Sequence, residues 1–407
     1  MGGKASVLLV LGFSTIFLIF GYNMNMISVN SVENYAEYYE ESIAHNCAVS
    51  GANMAANALF FDADWNTGFT DLPLSDGTID VEVTILDADK NIREITSIGY
   101  YNGVTKEVKV VVQPSNFAKF AYFSEIDPNN AWWSTGDTVW GPMHLEDFLR
   151  ISDNPVFMGK VTVKKDIKFN DPSTDDPKFL GGFQSGVHLV LPPDHIMDLE
   201  PEAESGGHVF QDVDTVYLTF AGDSLKYRFA NNDPDTTVLL EDFAPNGLLY
   251  VEDGNARVQG VVAGNYSLAV WGPDTDGKIF IDDDIVYQTD PRVDPSSEDM
   301  LGLMARNDII ITDNVANSDD VNIQASLYSE MEGLSAENYD SRAISGDINL
   351  YGGIIQKKGK ALGSYNPYTD IVEHGFNKKY KYDNRFLLES PRFFADTGSY
   401  EIVSWQE

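Results

Sequence analysis

ASVLLVLGFSTIFLIFGY, residues 5–22, runs for 18 residues without a charge and is built largely of Leu, Ile, Val and Phe. That length is close to the minimum for a helix that crosses a bilayer core. From Asn23 to Phe61 there is no proline, and Gly51 is the one interior breaker. The apolar run therefore predicts a single helix of nearly 60 residues, on the order of 80 Å long. Its first half presents Val7, Leu8, Leu9, Val10, Leu11, Phe13, Ile16, Phe17, Leu18, Ile19 and Phe20 on all sides, as a helix surrounded by lipid or by other helices does. In its second half Ile27, Val32, Tyr35, Tyr39, Ile43, Cys47, Met54, Ala58 and Phe61 approximate a stripe at spacings of three and four, with Glu33, Glu37, Glu40 and Glu41 largely opposite. Small residues at Ala48, Ser50, Gly51, Ala52, Ala55 and Ala56 predict close approach to a sheet or another helix. One lysine ahead of the run, and no Ala-x-Ala site behind it, favour an anchor over a cleaved secretory signal.

The chain has 407 residues, with 63 acidic against 27 basic side chains and a net charge of −36. Such a field excludes a nucleic-acid partner, which needs a basic surface, and disfavours docking on anionic lipid heads. The single cysteine, Cys47, allows no internal disulfide, so the fold rests on its core.

The MGGK-plus-apolar-run arrangement resembles type IV pilins and pseudopilins, which carry a short basic leader ending in glycine. On that resemblance Gly3 precedes the cleavage point. Counting from Lys4, the fifth position is Leu8, where most major pilins carry a glutamate. The all-aliphatic start SVLLVLGF resembles instead the PilX-like and K-type minor pilins. An intramembrane carboxylate is costly and is kept for a reason, so its absence marks a departure from the bulk-subunit pattern. The resemblance implies a prepilin peptidase and an inner-membrane assembly platform as partners, with sister pilins along the helix.

From Gly77 the hydrophobic period falls to two. Residues 77–87, 91–101 and 105–113, separated by the turn-rich DADKN and NGVT, read as a three-stranded antiparallel meander packed on the helix. The expected domains are the helix at 1–61, the meander at 62–115 and a large β domain at 116–407. In the last, short apolar triplets recur between Gly, Asn and Asp, as in GLLYVEDGNARVQGVVAGNYSLAVWG and DINLYGGIIQKKGKALGS. This predicts a parallel β-solenoid, in which stacked rungs make the core that no rung makes alone. An antiparallel sandwich is the alternative. The acidic stretch 195–247, with its longer strands, reads as a β-insertion into the coil. The fold class is thus α+β.

The ordered segments FAYFSE (120–125), WGPMHLEDFLRIS (140–152), PVFMGKVT (155–162), GGFQSGVHLVLPP (181–193) and GLLYVEDGNARVQGVV (247–262) continue with LGLMARNDIII (301–311), LYGGIIQKKGKALGS (350–364), YKYDNRFL (380–387) and YEIVSWQE (400–407). Together they resemble a bacterial family of pilin-like membrane proteins that joins a PilX-type helix to a solenoid-like domain. The family has no assigned catalytic residues, so the likeness implies place and architecture without chemistry.

The residues themselves offer little chemistry. Histidines 45, 144, 188, 195, 208 and 374 form no HxxxH or HExxH pair, which argues against zinc, although His188 and His195 could meet across a turn. GGFQSG lacks the lysine and helix of a phosphate loop, and no GxSxG occurs. Calcium is the one small ligand the spacing suggests, at Asp62, Asp64 and Asn66, where oxygens alternate just past the helix. An EF-hand would need glycine sixth and glutamate twelfth, whereas Gly68 is seventh and Pro73 twelfth, so solvated acidic turns are the plainer account. No other cofactor is expected. Adjacent aromatics at Trp132–Trp133, Tyr100–Tyr101 and Phe393–Phe394 put one ring of each pair outward if they lie on strands. The expectation is a non-enzymatic pilus-like or pseudopilus subunit, in the inner membrane as precursor and then in a surface filament. A membrane-anchored adhesin or carbohydrate-binding protein is the alternative. A surface lyase or hydrolase would need paired acids with a lysine, arginine or histidine in a cleft.

Overall fold

The helix is continuous. In a computed structural model, which describes residues 2–88, 91–365 and 372–407, it runs from Gly2 to Phe61, 60 residues and about 90 Å. Gly3 lies in its first turn; residues 89 and 90 of the DADKN turn lie outside the described residues. The chain forms two units, Met1–Ser115 with Gly398–Glu407, and Asn116–Thr397.

The first unit holds the helix and a five-stranded antiparallel sheet, larger than the meander expected from sequence. Strand Phe69–Leu74 adds at one edge, before Gly77–Asp87, Ile92–Tyr101 and Val104–Asn116. The C-terminal strand Asp396–Gln406 lies beside Val104–Asn116, so the chain's last residues belong here and not to the large domain assigned to 116–407. The physical reason is its packing: Tyr400 is buried in, and Trp405 packs on, the core that the helix shares with its sheet.

The second unit is mostly β and its strands pair in parallel, as stacked rungs require. One ladder can be followed through its whole length. Leu268 pairs with Leu303, then Leu327, Ile354, Tyr122, Met143, Val161 and Phe183, each a neighbour of the next. The order along the stack is not the order along the chain. The chain enters mid-stack at Tyr122–Ile126 and winds to one end at Phe183–Ser185. It then crosses through 186–207 to the opposite end at His208–Phe210 and winds back until Ile344–Lys358 pairs with Tyr122–Ile126.

The stretch 195–247 is therefore not an insertion interrupting the coil. His208–Phe210 and Thr215–Gly222 pair in parallel with Leu248–Val251 and Asn255–Val262. Within this stretch the hairpin of Ser224–Arg228 and Thr236–Leu239 is antiparallel, as Gly363–Tyr365 is to Val372–Lys381 later in the chain, and buried Leu225 and Leu240 close that end of the core. The long strands of this region are rungs; their acidic neighbours are turn residues.

The crossover is held by carboxylates of three rungs accepting its amides. Leu189 N donates to Glu146 Oε1 at 2.6 Å, Leu191 N to Glu125 Oε1 at 2.7 Å and Ile196 N to Glu330 Oε1 at 3.3 Å. Its apolar residues Leu191, Ile196 and Leu199 cover Phe123, Tyr328 and Met304 on the outer face of the ladder. Burial pushes the Glu330 carboxyl up to about 7, and pushes the His195 imidazole below its ordinary value. A raised carboxyl stabilises the fold fully below about pH 4.5, and that stabilisation is lost as pH rises through 7. A lowered histidine acts oppositely, losing stability as pH falls below about 6.5. Glu330→Gln, which keeps an acceptor for Ile196, is expected to flatten the alkaline limb. Between pH 5 and 8 wild type should lose roughly 3 kcal/mol relative to the variant in urea denaturation. Equal slopes for the two proteins would refute the assignment.

Candidate assembly surface

Every described side chain from residue 6 to 39 is exposed within the chain. Leu8, Phe17 and Leu18 each keep more than 70% of their surface, at 71%, 72% and 73%. Val7, Leu9, Val10, Leu11, Phe13, Ile16, Ile19 and Phe20 are exposed with them. By length and composition this helix can cross a membrane. An uncovered apolar surface of this extent is far outside what a soluble monomer shows, and marks a place where lipid or protein must sit.

From Ala44 onward the helix is packed. Ala44, Cys47, Ala48, Gly51, Ala52, Ala55 and Leu59 are buried against Ile79, Val81, Ile95, Val108 and Val110 of the sheet. The stripe expected from the larger residues is displaced: Tyr39, Met54 and Phe61 point away, and Phe61 is 79% exposed. Small side chains win because they let the backbones meet. A Cβ on Gly99 would strike Ala44 O and come within 2.6 Å of Ala48 N, and one on Gly51 would strike Ser97 Oγ. Gly99→Val should therefore lift the helix from the sheet, at a cost of about 2–3 kcal/mol. A far-ultraviolet melt of the variant would check it; an unchanged midpoint would contradict the close approach. Cys47 is a packing residue of this interface. Its Sγ faces Leu74 O at 3.5 Å and burial pushes its thiol up.

The acidic turn after the helix is exposed at Asp62, Asp64 and Asn66. Asp62 Oδ1 accepts the Asp64 amide at 3.1 Å, closing its own turn. Asn66 also lines an open cleft of about 370 Å³ with Gly68, Asp80 and Glu82. Among the described residues no group of three or more His, Cys, Asp or Glu is placed to hold a metal.

His188 and His195 have separate partners. His188 Nδ1 lies 2.6 Å from Glu146 Oε2, while His195 Nε2 donates to Phe393 O at 3.1 Å. Glu146 also meets His144 Nε2 at 3.0 Å and Lys164 Nζ at 2.9 Å. Burial alone would raise Glu146, but Lys164, the Leu189 amide and the two histidines hold its carboxyl below the usual range. HLED (144–147) supplies His144 and Glu146, but no local spacing announces the cluster, because Lys164 and His188 come from 18 and 42 residues farther on. Of the aromatic pairs, Phe394 is core and Phe393 packs beside it, while Trp133 stands edge-on to Tyr122 at 5.3 Å.

No family model and no curated protein matches the chain. Among solved structures, the crystal structure of the competence-associated pilin ComZ from Thermus thermophilus is similar over 90% of this chain and 97% of that one, at 12% identity and a TM-score of 0.36. At that score the likeness carries no argument, and the functional reading rests on the helix.

Proposed function

We propose that this chain is a structural subunit of a type IV pilus-like or pseudopilus filament, assembled through its N-terminal helix with the β unit displayed outward. The supporting observation is the division of one helix into an apolar half whose described side chains are exposed and a small-residue half that packs on a sheet. Burying the apolar half against sister helices recovers, at 1.5–3 kcal/mol per large side chain, on the order of 20 kcal/mol of gross hydrophobic free energy. Lipid gives the same shelter before assembly, so the helix can pass between membrane and filament without meeting water. On this reading Gly3 precedes the leader cleavage, and a prepilin peptidase and an inner-membrane platform handle the precursor. The role is mechanical and non-enzymatic. Cryo-electron microscopy of material sheared from cells tests it. Filaments whose density fits the 60-residue helix support it, and recovery of the chain only from membranes, never with other pilin-like chains, overturns it.

A further inference from the structure

The core of the coil changes character where the two windings meet. Above the junction, inward columns are apolar: Val321 stacks on Ile348, and Ile323 on Leu350. The next rung replaces them with Lys378 and Tyr380. On the continuous ladder, the inward column Val270, Ala305, Ser329, Gln356, Ser124, Leu145, Val163 turns polar over the same levels, and Tyr122 lies beside Ser124 on the inner side. Lys378 points inward by strand alternation. Phe376 and Tyr380 pack on the core, whereas Asn377 and Lys379 both reach Asp347 outside. Yet Lys378 is exposed, which requires open space at that level.

The opening has a structural cause. Among the described residues, only the ladder through Ile354 and Tyr122 crosses the junction. Thr138–Val139, Val156–Phe157 and Lys178–Phe179 form a sheet of their own, and so do Leu149–Ile151 and Ile167–Phe169. Two sides of the coil are thus interrupted beside Lys378. Asp127 and Asp137 come from the loop at this break. Tyr122 OH donates to Asp127 Oδ1 at 3.1 Å, Gln356 Nε2 donates to Tyr122 OH at 3.1 Å, and Ser134 N donates to Asp137 Oδ2 at 2.8 Å. Among the described residues Lys378 Nζ has no hydrogen bond or ion pair; the carboxylates acting on it are Asp127 and Asp137.

We infer that this break is a binding site for a neutral saccharide unit, held by Lys378, Asp127 and Asp137 beside the ring of Tyr122. One ammonium facing two carboxylates repels an anion through the acids and a cation through the lysine. Hydroxyl groups both donate and accept, so a sugar satisfies all three. Loss of water pushes the Asp127 and Asp137 carboxyls up, and the protein crowding round Lys378, whose side chain still borders open space, pushes its ammonium down, as a partly water-excluded site does. A charged layer in an otherwise apolar core works against stability, and such departures concentrate where a protein binds something.

The site is independent of the helix, so its test leaves the filament reading untouched. The full chain, in a zwitterionic detergent without sugar, is titrated by calorimetry with cellobiose, maltose, lactose and diacetylchitobiose, and with galacturonate and glucosamine as charged controls. At least one neutral sugar is expected to bind, weakening tenfold or more in Lys378→Met and Asp127→Asn but not in Lys379→Met. Lys378→Met is also expected to melt higher than wild type. If it does not fold, Lys378→Gln replaces it with the same expectation for binding. No binding by any neutral sugar, binding that survives both substitutions, or preference for a charged control overturns the proposal and leaves the layer as a structural seam.

Discussion

Phe13→Asp is expected to remove the protein from both membrane and filament. Phe13 is 55% exposed and touches no other element, so the substitution leaves the folded units intact. At the centre of the apolar run it replaces a residue that favours the bilayer slightly with one that costs about 2.5–3.5 kcal/mol. The helix should then insert roughly a hundredfold less well. Two controls separate this from general damage. Phe13→Leu should behave as wild type, and Phe61→Asp, at a position 79% exposed beyond the apolar half, should assemble normally. The measurement is the fraction of chain in carbonate-washed membranes and in sheared filaments. Wild-type levels for Phe13→Asp would mean that the exposed surface serves neither purpose.

The helix was legible because its signal is local: eighteen uncharged residues and the absence of proline need no partner to be interpreted. Its packing face was read less well. Periodicity weights large apolar residues, so Met54 and Phe61 were assigned inward, whereas contact through Gly51 and Gly99 selects the alanines. The parallel rungs were visible in the short triplets between glycines and acids. Their stacking order was not, since nothing in FAYFSE (120–125) says that its neighbour is IIQKK (354–358), more than two hundred residues away. The same non-locality hid the two polar clusters. Glu146 and its rung neighbour His144 gather Lys164 and His188 from farther along the chain, and Lys378 feels the charges of Asp127 and Asp137 across the junction of the windings. The C-terminal strand carried no cue in its 11-residue length, since the rung strand Ile344–Lys358 has 15 residues, and its partner Val104–Asn116 lies far back in the chain.

Phe123→Ala is expected to cost 3–5 kcal/mol and to split the unfolding of the second unit into two transitions. Phe123 is fully buried on the outer side of the ladder that, among the described residues, alone crosses the junction. Its ring stacks on His144 at 5.2 Å, stands edge-on to Phe117 at 4.9 Å and lies 5.7 Å from Phe120, so truncation leaves a cavity walled by three rings. In a stack of rungs, stability is a sum of rungs and nearest-neighbour interfaces, and cooperativity fails first at the weakest interface. Here that interface has a ladder on one side only, because the sheets of the shorter winding, 138–179, are separate from those of the longer. Leu225→Ala, also fully buried but at the capped end, removes comparable apolar area. It should lower stability by about 2–4 kcal/mol while the unit still melts as one. Calorimetry with hydrogen exchange distinguishes the cases: exchange confined to 122–185 at the lower transition is the expected result. A single transition in Phe123→Ala would show that the crossover 186–207, pinned to Glu146, Glu125 and Glu330, couples the windings more strongly than the ladder does.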